Sequence, residues 1–301
     1  MSTGPSPATP GKVTAPALRQ KRERGEPVTM VTAYDYPTAR MADEAGFDAI
    51  LVGDSLAMVV LGHPDTLAVT MDEMLHHARA VRRGASRALL IGDMPFMSYQ
   101  ADEAEALRNA GRFVKEAGME AVKLEGGRAM APAVRRIVRA GIPVQGHLGL
   151  TPQSVNALGG FKVQGRTAAA ARSLLEDALA LEDAGCFSLV LESVPDRVAA
   201  LITDRVSIPT IGIGAGAGTS GQVLVLHDVL GLFDRFTPRF VKRYAELGEA
   251  ARAALEAFRA DVQARAFPAA QHSYPIDDDE WRAFLESIGE QLPQPSAPTR
   301  R

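Results

Sequence analysis

Five short strings place a chemically capable side chain at the end of an apolar run: Asp54 in AILVGDS (49–55), Asp93 in ALLIGDMPF (88–96), Glu125 in AVKLEGG (121–127), His147 in PVQGHLGL (143–150) and Glu192 in SLVLESV (188–194). Lys123 precedes Glu125 by two residues, and on an extended strand residues two apart share a face. Three carboxylates gathered in a confined site cannot all remain ionised without a compensating cation. Oxygen ligation by Asp54, Asp93 and Glu125 favours a hard divalent ion, Mg²⁺ first. None of the six histidines forms an H-x-x-x-H pair, and the one cysteine, Cys186, cannot build a zinc thiolate site. Mg²⁺ keeps positions for water or substrate oxygens. That suits a bidentate small anion such as an α-keto acid, whose keto oxygen the metal would polarise to stabilise an enolate.

Each residue also has a plainer reading. An acidic residue at a strand end commonly caps the next helix or joins a salt bridge, so Asp54 alone is weak evidence. Lys123 could pair with Glu125. His147 could be a core histidine bonded to a backbone carbonyl, and His76 and His77 read as solvated or interfacial positions on a helix. GIGAGAG (212–218) resembles a phosphate-cradling loop. Without a dinucleotide-binding context it fits close backbone packing equally well. The recurrence on five successive strands outweighs these single-residue alternatives.

The elements that must position these groups repeat in one rhythm. Besides the five runs above there are VTMVTAY (28–34), TIGIGAG (210–216) and VLVLHDVLG (223–231), all rich in β-branched residues or Leu, as buried parallel strands are. Helix-like stretches, several ending in Gly, lie between most of them. Eight strands alternating with helices predict a closed (β/α)8 TIM barrel, with catalytic side chains at the C-terminal strand ends. AGTSGQ (217–222) is too short for a helix between strands seven and eight, so that unit is irregular. Residues 247–267 read as an amphipathic helix packed on the barrel or on a neighbouring subunit. The expected organisation is a tail over 1–12, one barrel domain with its C-terminal helix over 13–267, and a second tail over 268–301.

Composition excludes several classes. Hydrophobic residues make up 46% of the 301, enough for a large core, and the net charge of −3 gives no sign of a polyanion-binding surface. No apolar run is long enough to span a bilayer, and MSTGPSPATPGK lacks the apolar segment of a signal peptide. With a lone cysteine, these features fit a reducing compartment.

VTAYDYPTARMADEAG, LVGDSLAMVVLGH, HHARAVRRGA, DMPFMSY, VKLEGG, VQGHLGLTPQSVNALGGFKVQGR and LESVP, followed by IPTIGIGAG, resemble ketopantoate hydroxymethyltransferases. The likeness runs in order from about residue 13 to QHSY at 274. It implies a (β/α)8 barrel that uses Mg²⁺ and takes a one-carbon unit from 5,10-methylenetetrahydrofolate to 3-methyl-2-oxobutanoate, giving 2-dehydropantoate for pantothenate biosynthesis. The implied metal ligands are Asp54, Asp93 and Glu125. Substrate contacts fall on Asp54, Ser55, Asp93 and Lys123, and the proton acceptor is Glu192. The resemblance further implies a cytoplasmic homo-oligomer, a decamer of two stacked pentameric rings, with no nucleic-acid or membrane partner. Two rivals are a phosphoenolpyruvate-mutase or isocitrate-lyase-type enzyme and a non-catalytic keto-acid sensor. The absence of a lyase-type cysteine motif disfavours the first, and the presence of Glu192 and Lys123 disfavours the second.

Overall fold

The computed structural model describes residues 11–290. Eight strands run in chain order: β1 (Val28–Thr32), β2 (Ala49–Val52), β3 (Leu89–Asp93), β4 (Ala121–Glu125), β5 (Val144–Gly149), β6 (Ser188–Glu192), β7 (Thr210–Ile213) and β8 (Gly221–Leu224). Each is parallel to its neighbour, and β8 returns to β1 to close the barrel. The expected (β/α)8 architecture is therefore the observed one.

Side-chain alternation accounts for its two cores. Met30, Ala49, Leu51, Leu89, Ile91, Ala121, Val190, Ile211 and Val223 fill the barrel, together with Leu18 from the helix Ala15–Glu23. The Arg22 guanidinium of that helix donates to the carbonyls of Thr203, Val206 and Ile208, just before β7, so the helix closes the N-terminal end. The opposite strand faces pack Val31, Ile50, Val52, Leu90, Val122, Leu124 and Leu189 against the surrounding helices. Burial of each large aliphatic side chain contributes about 1.5–3 kcal/mol. Both faces of the strands are thus apolar, as a parallel barrel requires.

Local signals set the helices. Thr70 and Glu73 form a reciprocal capping box on Met71–Gly84. Asp102 caps Glu103–Ala117, which ends on Gly118 at φ 68°.

Strand eight differs from its expected span of 223–231. It begins at Gly221 and stops at Leu224, and Leu226–Val229 form a short helix. The seam with β1 explains the start: a Cβ at Gly221 would lie 2.2 Å from the Val28 carbonyl oxygen, so only glycine fits there. Its end follows because the Leu226 N–H donates to Thr32 Oγ1 at 3.0 Å, turning the chain where β1 itself ends. No helix joins β7 to β8, consistent with the short link between them.

The chain divides between Glu246 and Leu247 into two compact units. The first contains the barrel. The second contains Leu247–Gln263, the core of the helix expected over 247–267, none of whose residues is buried. It also contains a helix at Asp278–Ser287, capped by Asp277, inside the segment expected as a tail. Residues 1–10 and 291–301 lie outside the described residues, and with them most of the N-terminal tail. Lys12, at that tail's expected end, is anchored by its Nζ to the Ala88 carbonyl at 2.6 Å and to Glu120 at 2.8 Å.

Candidate active site

The C-terminal ends of the strands open into a cavity of about 730 Å³. Asp54, Ser55, Asp93, Lys123, Glu125, His147 and Glu192 all line it. Asp93, Glu125 and Glu192 are the last residues of β3, β4 and β6, as their strings predict. Asp54 is a small departure: it occupies the turn two residues beyond β2. There its N–H donates to Asp93 Oδ2 at 3.1 Å, which carries the carboxylate onto the same rim. Its side chain caps no helix. Asp54 Oδ2 instead accepts from Gln153 Nε2 at 2.9 Å.

The cluster is deeply buried: Asp54, Lys123 and Glu125 are each 4% exposed, and Asp93 is 1% exposed. Strand register decides the pairing. Asp93 lies directly opposite Lys123 in the β3–β4 ladder, and Lys123 Nζ donates to Asp93 Oδ1 at 2.6 Å. Glu125 lies opposite His147 in the β4–β5 ladder. Lys123 therefore belongs to Asp93, not to the same-strand Glu125. Burial pushes the Asp54 carboxyl well above the usual carboxylate range, reinforced by Asp93 and Glu125 and opposed by Lys123 and Gln153. Burial works against the Lys123 ammonium, but Asp93, Glu125 and Asp54 outweigh it and hold its pKa above the ordinary value. All three carboxylates could ionise together only beside a further cation.

His147 stands between two carboxylates, with Nδ1 3.3 Å from Glu125 Oε1 and Nε2 3.3 Å from Glu192 Oε2. Neither contact is aligned as a hydrogen bond, and Glu125 Oε1 and both ring nitrogens lack a partner among the described residues. Burial and Lys123 disfavour the imidazolium; Glu125 and Glu192 overcome them and raise His147 to about 9. The Glu192 side chain is 16% exposed. A Cβ at Gly149, the residue opposite Glu192 in the β5–β6 ladder, would lie 2.2 Å from the Glu192 carbonyl oxygen. Ser193, immediately after Glu192, adopts φ 49°, the left-handed region in which a side chain is strained.

Several participants lay outside the sequence reading. Tyr34 Oη pairs with Ser55 Oγ at 2.8 Å. Tyr99 and Gln153 sit behind Asp54 and Glu125 in a buried network. Their signal was present only as polar positions inside DMPFMSY and TPQSVN, whose partners depend on loop folding. The cavity's outer wall is largely apolar, with Phe161, Val163, Phe233, Phe236 and Phe240.

Other candidates resolve simply. A Cβ at Gly214 would lie 2.6 Å from the Phe240 ring, and one at Gly216 2.6 Å from the Asp196 Cβ, so GIGAGAG is a close-packing segment. His77 Nδ1 contacts the Tyr34 carbonyl oxygen at 2.7 Å, while His76 is exposed. Cys186 is buried between a helix and β6, and burial pushes its thiol up to about 12 despite a backbone hydrogen bond at Gly146, so it is inert at neutral pH.

The donor set suits Mg²⁺ in chemistry, being all carboxylate oxygens with Glu125 Oε1 buried and unpartnered. Among the described residues, no three histidine, cysteine, aspartate or glutamate side chains yet converge as a preformed metal site. Lys123 holds one Asp93 oxygen, and Gln153 holds one oxygen each of Asp54 and Glu125.

A closed (β/α)8 barrel with acidic, basic and imidazole groups converging on one rim cavity defines a barrel enzyme with its site at the strand C-termini. The sequence model for ketopantoate hydroxymethyltransferase matches residues 12–270. The chain belongs to that family. A relative named 3-methyl-2-oxobutanoate hydroxymethyltransferase in Oleidesulfovibrio alaskensis is 64% identical, covering 87% of this chain and 90% of its own. One of the same name in Syntrophobacter fumaroxidans is 61% identical, covering 89% and 95%. Among solved structures, a phosphonopyruvate hydrolase with oxalate and Mg²⁺ superposes with a TM-score of 0.56 at 14% identity, covering 91% of this chain and 98% of its own. A 2,3-dimethylmalate lyase of the PEP mutase/isocitrate lyase superfamily gives 0.56 at 18%, covering 92% and 100%. At such identities these two share the fold alone.

Proposed function

We propose that this protein transfers a hydroxymethyl group from 5,10-methylenetetrahydrofolate to 3-methyl-2-oxobutanoate, giving 2-dehydropantoate for pantothenate biosynthesis. The observation that carries the reading is the family match over residues 12–270, together with a cavity lined by every residue to which the resemblance gives a role: Asp54, Ser55, Asp93, Lys123, Glu125 and Glu192. The apolar outer wall and a volume of about 730 Å³ leave room for the second, larger co-substrate beside the keto acid.

Asp54, Asp93 and Glu125 would hold Mg²⁺, which when bound supplies Lewis-acid polarisation of the keto oxygen. Lys123 balances the negative charge that builds on the substrate as C3 loses its proton. Ser55, fixed by Tyr34, offers a hydroxyl to the acid. Glu192 takes the C3 proton as general base, and His147 stands 3.3 Å from it and 3.3 Å from Glu125. The nucleophilic C3 then bonds to the donor's methylene carbon as the first of its two carbon–nitrogen bonds breaks, that nitrogen taking the proton removed from C3. A water oxygen displaces the second nitrogen, which takes a proton from the water, so tetrahydrofolate leaves and the hydroxymethyl group is complete.

The protein is proposed to act in the cytoplasm as a homo-oligomer, a decamer by family likeness. Supporting association, Leu255, Phe258 and Val262 are 68%, 54% and 47% exposed on one helical face. No helix among the described residues is long and apolar enough to cross a membrane.

The decisive experiment follows tetrahydrofolate release from 5,10-methylenetetrahydrofolate in the presence of 3-methyl-2-oxobutanoate. Activity should require Mg²⁺, disappear with EDTA and return on adding Mg²⁺, and Asp54→Ala and Asp93→Ala should lack it. Turnover of a phosphonate or of 2,3-dimethylmalate, with no hydroxymethyl transfer, would overturn the proposal.

A further inference from the structure

Gln153 makes contacts that only one orientation of its amide satisfies. Nε2 donates to Asp54 Oδ2 and to the Met94 carbonyl oxygen, each at 2.9 Å. Met94 O can only accept, so the amide nitrogen must face it. Oε1 accepts from Tyr99 Oη at 2.7 Å and from Gln100 Nε2 at 3.1 Å. Tyr99 Oη in turn accepts the Glu125 N–H at 3.0 Å, so its proton is directed to Gln153. Burial raises the Tyr99 phenol well above its ordinary value, and it stays a donor. The Gln153 N–H completes the set by donating to Glu125 Oε2 at 3.0 Å. One residue of the loop after β5 thus holds a carboxylate from β2's turn and one from the end of β4, with Tyr99 bracing both it and the Glu125 backbone.

Gln153 and Tyr99 are 4% and 2% exposed. They stand behind the carboxylates and do not line the cavity. Their hydrogen bonds occupy Oδ2 of Asp54 and Oε2 of Glu125. The buried Oε1 of Glu125 is left without a hydrogen-bond partner. Outer hydrogen bonds of this kind fix carboxylate orientation and tune a cation site.

We propose that Gln153, braced by Tyr99, is a positioning residue that presents the remaining oxygens of Asp54 and Glu125 to the divalent cation and so sets the enzyme's Mg²⁺ affinity. This rests on the Mg²⁺-dependent reading of the site. Without the amide, Asp54 would lose the one side-chain donor it has among the described residues and could rotate away from Glu125.

Titration calorimetry of Mg²⁺ alone into the full-length, EDTA-stripped and dialysed protein tests it, alongside thermal unfolding with and without Mg²⁺. Gln153→Met retains side-chain length and removes the amide. Its Mg²⁺ dissociation constant should rise about 10- to 100-fold, as for loss of an outer-sphere partner. Tyr99→Phe keeps the ring and deletes one hydroxyl; it should weaken Mg²⁺ about two- to tenfold and lower metal-free stability, because the buried Glu125 N–H loses its acceptor. Both should raise the Mg²⁺ concentration for half-maximal activity, with kcat recovering toward wild type at saturating Mg²⁺. If Gln153→Met does not fold, Tyr99→Phe decides by the same titration. Wild-type Mg²⁺ affinity in the folded variants, even with lower metal-free stability, overturns the positioning role while leaving the Mg²⁺ reading intact. Absence of Mg²⁺ binding by the wild type defeats that reading, and this inference with it.

Discussion

Replacing Glu192 with glutamine isolates the proton-transfer step from substrate binding. If Glu192 is the base, C3 loses its proton before the one-carbon donor is engaged. The wild-type protein with Mg²⁺ and no folate should then exchange the C3 hydrogen of 3-methyl-2-oxobutanoate for deuterium in D₂O. Glutamine conserves shape and removes only the basic oxygen. The lost native contact is the 3.3 Å approach of Oε2 to His147 Nε2, which is not aligned as a hydrogen bond. Stability at neutral pH should nevertheless fall, because Glu192 is one of the two carboxylates that raise the buried His147. The exchange rate should fall by two to four orders of magnitude, the usual span of a general base, or about 3–5 kcal/mol in the barrier. Keto-acid affinity should stay close to wild type, because the groups proposed to hold the acid are Ser55, Lys123 and the Asp54–Asp93 side of the rim. The exchange is read by proton NMR of the C3 signal and the affinity by calorimetry. Wild-type exchange in Glu192→Gln would refute the assignment and turn attention to His147.

Three further outcomes follow from the same geometry. Lys123→Met removes the ammonium bonded to buried Asp93; unfolding by denaturant should show a loss of about 3–5 kcal/mol, the cost of leaving one half of a buried pair, and an unchanged midpoint would contradict the pairing. Asp48 accepts from Lys21 Nζ at 2.7 Å and from Thr29 N and Oγ1 at 2.8 and 2.9 Å, and although burial opposes it, these partners hold its carboxyl below the ordinary value. Its stabilisation is complete above the unfolded carboxylate pKa of about 4 and fades as pH falls through the lower folded value, so the stability gap between wild type and Asp48→Asn should be widest near neutrality and close below about pH 4. Light scattering at micromolar concentration should return a mass several times the 32.1 kDa protomer, and a clean monomer would remove the proposed assembly.

The chain's own pattern determined the barrel and the rim. Runs of Val, Ile and Leu ending in Asp93, Glu125 and Glu192 are local features, and a parallel barrel carries its strand C-termini to one face. The tertiary structure decided which groups meet. Lys123 is two residues from Glu125 along one strand, but the parallel register sets it opposite Asp93, at 2.6 Å; register is a relation between strands that no single string encodes. His147 was ambiguous until β5 stood between β4 and β6, bringing Glu125 and Glu192 to either side of its ring. Strand eight read as a long apolar run, yet pairing with a five-residue β1 limits it to Gly221–Leu224. Gln153 was the least legible of all. Its role depends on a loop after β5 folding back over β2, β3 and β4, and the hydrogen bonds that define it span 28, 54, 59 and 99 residues of chain. A polar side chain declares its chemistry in the sequence; its partners are chosen when the chain closes around it.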